Sequence, residues 1–201
     1  VGETSFFGTF NYTIGGVTAY VDGPSVPICF PKGTPVTTNQ GNIDIDKLNP
    51  GIHTIRGKKI VAITQTILPM SVKHIVSIEE GAIGLNIPSA TTHISMDHKV
   101  LYIDNLVAAV ELIDICEGVT LIPYYGETLY NVLMEQRDYM TINNLICETL
   151  DPTHIMAIIC GGKYDCAEKN RLRAELSTII HNNDSDGYTD LCKRLHRTPF
   201  Q

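Results

Sequence analysis

The run Cys29-Phe30-Pro31-Lys32-Gly33-Thr34-Pro35-Val36-Thr37-Thr38-Asn39-Gln40-Gly41 sets a cysteine directly behind an apolar lead-in, Val26-Pro27-Ile28, and follows it with a Gly-Thr-x-Val-x-Thr stretch and a turn glycine. Downstream come Ser95-Met96-Asp97-His98 and the strand-like Tyr130-Asn131-Val132-Leu133. A thiol placed just after a peptide bond can attack the carbonyl in front of it, provided that a proton reaches the departing amine. Cys29 with a downstream hydroxyl and imidazole therefore supplies the parts for attack on the Ile28–Cys29 amide.

Outward from that run the chain reads as three regions. Residues 1–28 are rich in aromatics, Thr and Gly and end in Gly23-Pro24-Ser25-Val26-Pro27-Ile28, which predicts a short β hairpin and a Pro-stiffened lead-in. Residues 29–150 are a succession of short β-branched segments broken by turn signals: Asn39-Gln40-Gly41-Asn42, Asn49-Pro50-Gly51, Arg56-Gly57, Asp104-Asn105, Glu117-Gly118 and Tyr125-Gly126-Glu127. Such spacing predicts an all-β domain. Residues 151–201 form the tail, with helical character from about residue 163. Leu172, Leu176 and Ile179 fall at helical spacing, the helix is expected to stop at Asn182-Asn183-Asp184, and a second short helix is expected over Thr189 to Leu195.

The β region also echoes itself. Asn42 to Leu48, a turn and the strand Lys59 to Ile63 are matched by Asn105 to Leu112, the Glu117-Gly118 turn and then Tyr130-Asn131-Val132. Two such halves would bury a shared core about a pseudo-two-fold axis.

Composition narrows the function classes. With 201 residues, 43% hydrophobic and 18% charged, the chain can bury one full core. A formal net charge of −7 argues against a nucleic-acid or anionic-membrane partner, and the basic run Lys193-Arg194-Leu195-His196-Arg197 reads as a solvated helix face. No apolar segment is long enough to span a bilayer. The chain opens on Val1 without a Met, as expected of an excerpt. The six cysteines, at 29, 116, 147, 160, 166 and 192, show no CxxC pair and no metal-type spacing, so free thiols and a reducing environment are expected, with neither metal nor cofactor.

Taken together, the Cys29 block, the Ser95-x-x-His98 block preceded by Gly81-Ala82-Ile83-Gly84-Leu85-Asn86-Ile87-Pro88, and the Tyr130 to Thr149 strands resemble the Hint domain shared by Hedgehog proteins and inteins. The Gly-Ala-Ile-Gly stretch with Lys99-Val100-Leu101 after the histidine looks most like the Hint variants of bacteria and large DNA viruses, so a virus-encoded protein is one expected source. The resemblance implies an all-β Hint fold, a pseudo-two-fold horseshoe of short strands, carrying a small C-terminal helical appendage. It implies single-turnover autoprocessing: Cys29 takes the acyl group of Ile28 as a thioester, His98 donates to the leaving nitrogen, and Ser95, a Thr in most relatives, holds the scissile unit or orients the imidazole. The substrate would be the chain's own N-terminal segment, with water or an unknown nucleophile as acceptor.

Departures from the intein pattern bear on how the reaction ends. Inteins close on a motif like N-G-I-L-V-H-N, whose last Asn cyclises; here the matching stretch is Asn143-Asn144-Leu145-Ile146-Cys147-Glu148-Thr149. Glu148-Thr149 stands where His-Asn is needed, and Asn143 and Asn144 are expected inside the strand. The intein aspartate after Tyr is matched by Asn131, and an intein histidine by Asp138, so the resemblance puts both among the candidate catalytic residues with Cys29, Ser95 and His98. Cleavage at Ile28–Cys29 without splicing is therefore expected, with residues 150–201 remaining attached. The alternative is a Hint fold whose chemistry has lapsed and which serves as a scaffold; a papain-like protease is disfavoured by the β-rich chain. Of the other histidines, His53, His74 and His93 read as surface or satisfied core residues, His181 and His196 as tail, and His154 as a residue that could reach the site.

Overall fold

In this computed structural model the described residues are 10–14, 17–21, 28–68, 72–182 and 184–196. In chain order the strands are β1 (Phe10–Ile14), β2 (Val17–Val21), β3 (Phe30–Pro31), β4 (Pro35–Thr38), β5 (Gly41–Asp44), β6 (Thr54–Ile55), β7 (Lys58–Thr66), β8 (His74–Ile78), β9 (Thr92–Ile94), β10 (Lys99–Tyr102), β11 (Asn105–Ala108), β12 (Val119–Pro123), β13 (Leu129–Met134), β14 (Tyr139–Ile142) and β15 (Leu145–Glu148). Helices α1 (Ile155–Gly161), α2 (Cys166–His181) and α3 (Ser185–His196) follow.

β1 and β2 form the expected N-terminal hairpin, while the rest of residues 1–27 lies outside the described residues. The largest sheet runs β11-β10-β15-β14-β4-β5 and mirrors itself about the β14–β15 pair. Hairpin β4–β5 leads into a 3-10 turn at Ile45–Lys47, and hairpin β10–β11 into one at Ala109–Leu112. Both turns drop fully buried side chains, Ile45 on one side and Ala109 and Leu112 on the other, into a common core. This is the pseudo-two-fold horseshoe that the sequence repeat implies. The second half differs from expectation in one respect: the strand after Glu117-Gly118 is β12, which pairs β8, whereas Tyr130-Asn131-Val132 belongs to β13 and pairs β3 and β7.

Alternation explains why these segments are strands. In β4, Val36 and Thr38 face the core while Thr37 is exposed, the two-residue period of a pleated strand. β8 is buried along Ile75–Ile78, with β12 and β9 paired to its two edges. The β14–β15 hairpin turns on Asn143 and Asn144, whose φ values of 47° and 65° lie in the left-handed region that Asn tolerates. The sequence reading placed these two residues within the ladder; they instead form its two-residue turn, with Ile142 paired to Leu145 across it.

The helices build a second cluster. Leu172, Leu176 and Ile179 of α2 pack with Ile155, Ile158 and Ile159 of α1 and with Tyr188, Leu191 and Leu195 of α3. Asp165 caps α2 by accepting the Glu168 N–H at 2.8 Å. α3 starts at Ser185, four residues before the expected Thr189, and α1 was not anticipated. Its run Ile155-Met156-Ala157-Ile158-Ile159 has strand-like composition, and its cap is His154, whose Nδ1 accepts the Met156 N–H at 3.2 Å. No described helix is long and apolar enough to cross a membrane.

Candidate active site

The site forms where β3, the turn after β9 and β13 meet. β13 runs antiparallel to β3 with Leu129 opposite Pro31 and Tyr130 opposite Phe30, so the next residue, Asn131, reaches the level of Cys29. On the other side Ser95 ends β9 and starts the turn to His98, which the second 3-10 segment pins from below: Ala109 N–H donates to His98 O at 2.9 Å and Val110 N–H to Met96 O at 3.0 Å.

These elements grip the Ile28–Cys29 amide at both ends. The Cys29 N–H donates to Ser95 Oγ at 2.8 Å, and the Ser95 N–H returns a bond to Cys29 O at 3.0 Å. Asn131 Nδ2 donates to Ile28 O at 2.5 Å. The amide's orientation is fixed because its Oδ1 accepts the Val132 N–H at 2.7 Å, which leaves only the NH₂ to face the Ile28 carbonyl. Ser95, His98 and Asn131 are fully buried and Cys29 is nearly so.

His98 is defined by what holds its ring. Nε2 lies 2.9 Å from Glu148 O, and a carbonyl can only accept, so Nε2 carries the proton. Phe30 packs on the imidazole with ring centroids 4.5 Å apart. Nδ1 is buried and has no hydrogen-bond partner among the described residues. Burial lowers the His98 pKa to about 4, outweighing the backbone groups of Glu148 and Cys29 that favour the imidazolium. The resting ring is therefore neutral near pH 7, with a bare lone pair at Nδ1. Burial pushes the Cys29 thiol well up, so it too is neutral at rest.

The remaining expected residues lie apart from this group. Asp138 is buried with its carboxylate taken up by Arg56 at 3.1 Å, Lys58 at 2.6 Å and the Tyr139 N–H at 2.8 Å. Burial raises its pKa, but the Lys58 and Tyr139 bonds and the two cations leave it lowered overall. Its backbone bonds the hydroxyl and N–H of Thr149, the residue after Glu148. His154 caps α1, and His53 Nδ1 accepts the Asn49 N–H, while the His74 and His93 side chains are exposed. The His181 and His196 side chains lie outside the described residues. Asn131 is a candidate from its place in the intein pattern, with no contact expected for it; the structure aims it at the Ile28 carbonyl. The Glu148 contribution comes from its main chain, so no side-chain pattern signals it. All six cysteines are free thiols, and no group of three or more metal-ligating side chains gathers among the described residues.

Residues 28–154 match the Hint domain family. No curated protein matches the chain. Among solved structures, a GSH-linked, splice-inactive variant of the AceL NrdHF class 3 split intein is similar, at 11% identity over 60% of this chain and 96% of that one, with a TM-score of 0.38.

Proposed function

The chain belongs to the Hint domain family, and from that premise we propose that it cleaves itself at Ile28–Cys29 through an N–S acyl shift, without splicing. The observation that carries this reading is the two-ended grip on that one amide: Ser95 Oγ on its nitrogen, Asn131 Nδ2 on its oxygen, and an unpartnered imidazole nitrogen buried in the same site.

The proton bookkeeping follows from the tautomer. Nδ1 of neutral His98 takes the proton of the Cys29 thiol as Sγ bonds to the Ile28 carbonyl carbon. The carbonyl oxygen gains charge, which Asn131 Nδ2 stabilises; a preorganised donor of this kind contributes about 10²–10³-fold. The C–N bond then breaks, and Nδ1 returns its proton to the Cys29 nitrogen that Ser95 Oγ has held in place. The product is a thioester between Ile28 and Cys29 with a free α-amine. Water then adds to the thioester carbonyl, releasing the segment ending at Ile28 as a carboxylic acid and restoring the Cys29 thiol. An external thiol releases the same segment by exchange, as its own thioester, and likewise restores the Cys29 thiol.

At the other end, Thr149 has no amide to cyclise, and its hydroxyl is bonded to Asp138. This supports retention of residues 150–201 after cleavage. The division into a lead-in of 1–28, an autoprocessing domain of 29–150 and a helical tail of 151–201 belongs to the same proposal.

The test is intact-mass measurement of freshly made protein with and without dithiothreitol. Thiol-accelerated loss of the segment ending at Ile28 is expected, and Cys29→Ala abolishes it. The burial of Cys29, with its thiol held protonated, favours the second reading of a lapsed scaffold. Stability of the Ile28–Cys29 bond under thiol would establish that second reading instead.

A further inference from the structure

Once the acyl group has moved to sulfur, the Cys29 nitrogen and the Ser95 bond to it no longer hold the Ile28 side of the junction. What remains on the acyl group is Asn131 at its oxygen and whatever grips the Ile28 side chain. That side chain is half-buried and packs against Leu133, Leu150, Ala157 and Cys160, a cluster also bordered by Ala62 and Met156. We propose that this cluster is a specificity pocket for the residue before the scissile bond, and that α1 of the tail builds half of it.

Its walls come from two bodies. Ala62 and Leu133 are paired residues of β7 and β13, and Leu133 bridges in parallel to Leu150. Met156, Ala157 and Cys160 come from α1, at positions that share one helix face. That face is held from behind by α2: Lys169 Nζ donates to Cys160 O at 2.8 Å and Arg173 Nη2 to Cys160 Sγ at 3.2 Å. Small Ala62 and Ala157 leave room for a branched aliphatic side chain. The hydrophobic walls, with the Arg173 cation against Cys160, offer a positive charge no compensation for lost water. The pocket thus selects a medium-sized aliphatic residue and keeps its carbonyl against Asn131 while the thioester waits for its acceptor, a positioning effect of the kind that a small displacement destroys.

The inference rests on the self-cleavage reading, and a size swap in the full-length chain separates the two. Thiol-induced cleavage rates are compared for residue 28 as Ile, Val, Ala and Lys, each with Ala157 and with Ala157→Val. One missing methylene is worth about 10–200-fold in such a pocket, so Ile28→Val stays near the lower figure and Ile28→Ala and Ile28→Lys fall beyond it. In the Ala157→Val background the order reverses, and Ile28→Ala outpaces Ile28. If circular dichroism shows Ala157→Val to be unfolded, Ile28→Phe with and without Met156→Ala gives the opposite swap: slow alone, rescued in the pair. Cleavage that ranks residue 28 identically in both backgrounds, or that accepts Lys as readily as Ile, overturns the pocket and leaves self-cleavage standing. Absence of cleavage in the unaltered chain overturns both.

Discussion

In the proposed reaction Cys29, Ser95, His98 and Asn131 divide the work, and Asn131 and His98 meet different electrostatic demands. Asn131 is neutral, fully buried and aimed at the Ile28 oxygen, so it can accept growing negative charge without itself being charged. Asn131→Ala is expected to slow thioester formation about 10²–10³-fold, and Asn131→Asp to slow it further because a carboxylate repels the oxyanion; both are read from thiol-induced cleavage rates. His98→Ala should slow the step more than Ser95→Ala, since the first removes the proton carrier and the second loosens its target, and Ser95→Thr should be tolerated. His98 also makes stability depend on pH. Its pKa is lowered from 6.5 unfolded to about 4 folded, so between these values the unfolded chain binds the extra proton. Stability is therefore complete above pH 6.5 and declines as the pH falls toward 4, by on the order of 3 kcal/mol. Urea melts across that range should show the decline, and His98→Gln should flatten it. Cys29, Ser95 and His98 stood out in the sequence as candidates because the chemistry proposed for them resides in their own functional groups. Asn131 was a candidate from its place in the intein pattern, but its contact was not legible, because its partner is a main-chain carbonyl 103 residues away in sequence. Asp138 was misleading in the other direction: its position in the pattern suggested the site, yet Arg56 and Lys58 claim its charge.

Among the elements, the β14–β15 hairpin ties the N-terminal and C-terminal junctions together. It delivers the Glu148 carbonyl to His98 Nε2 and, one residue on, places Thr149 in the bonds to Asp138. Its turn residues serve the sheet: Asn143 Nδ2 donates to Thr92 Oγ1 and Asn144 Nδ2 to Asn86 O. Asn144→Gly is therefore expected to leave thermal stability nearly unchanged, whereas Asn144→Val forces a β-branched residue to φ 65° and costs about 1–2 kcal/mol in a denaturant melt. The Asn-Asn pair is a hairpin signal in its own right, obscured here because the stretch also aligned with a terminal intein motif. α1 escaped for a different reason. Seven residues of mostly β-branched and small apolar type read as a strand, and only packing on β7, β13 and α2 makes them helical. The second helix of the tail, by contrast, announced itself through its apolar period, and α2 occupies nearly the span expected.

At the scale of the whole molecule, the mirrored sheet explains the part of the self-similar pattern that holds: each half must bury its own 3-10 segment, so similar residues recur where Ile45 and Leu112 enter one core, while the return strands diverge. The tail is not a loose attachment to this body. Removing residues 151–201 strips the α1 side from Leu133 and Leu150, an exposure of two leucines worth roughly 3–6 kcal/mol, and the shortened chain is expected to melt lower and to lose selectivity at residue 28. A thermal melt with a parallel cleavage assay checks both. One further consequence attaches to β13. Its consecutive residues receive both ends of the β body: the Asn131 side chain holds the Ile28 carbonyl where the chain comes in, and the Val132 carbonyl accepts the Leu150 N–H at 2.9 Å where it goes out. Two ends anchored on neighbouring rungs make a closed ring in all but one bond. Such a body is suited to circular permutation, with a short linker across the gap and new termini opened at the exposed Ile103–Asp104 turn.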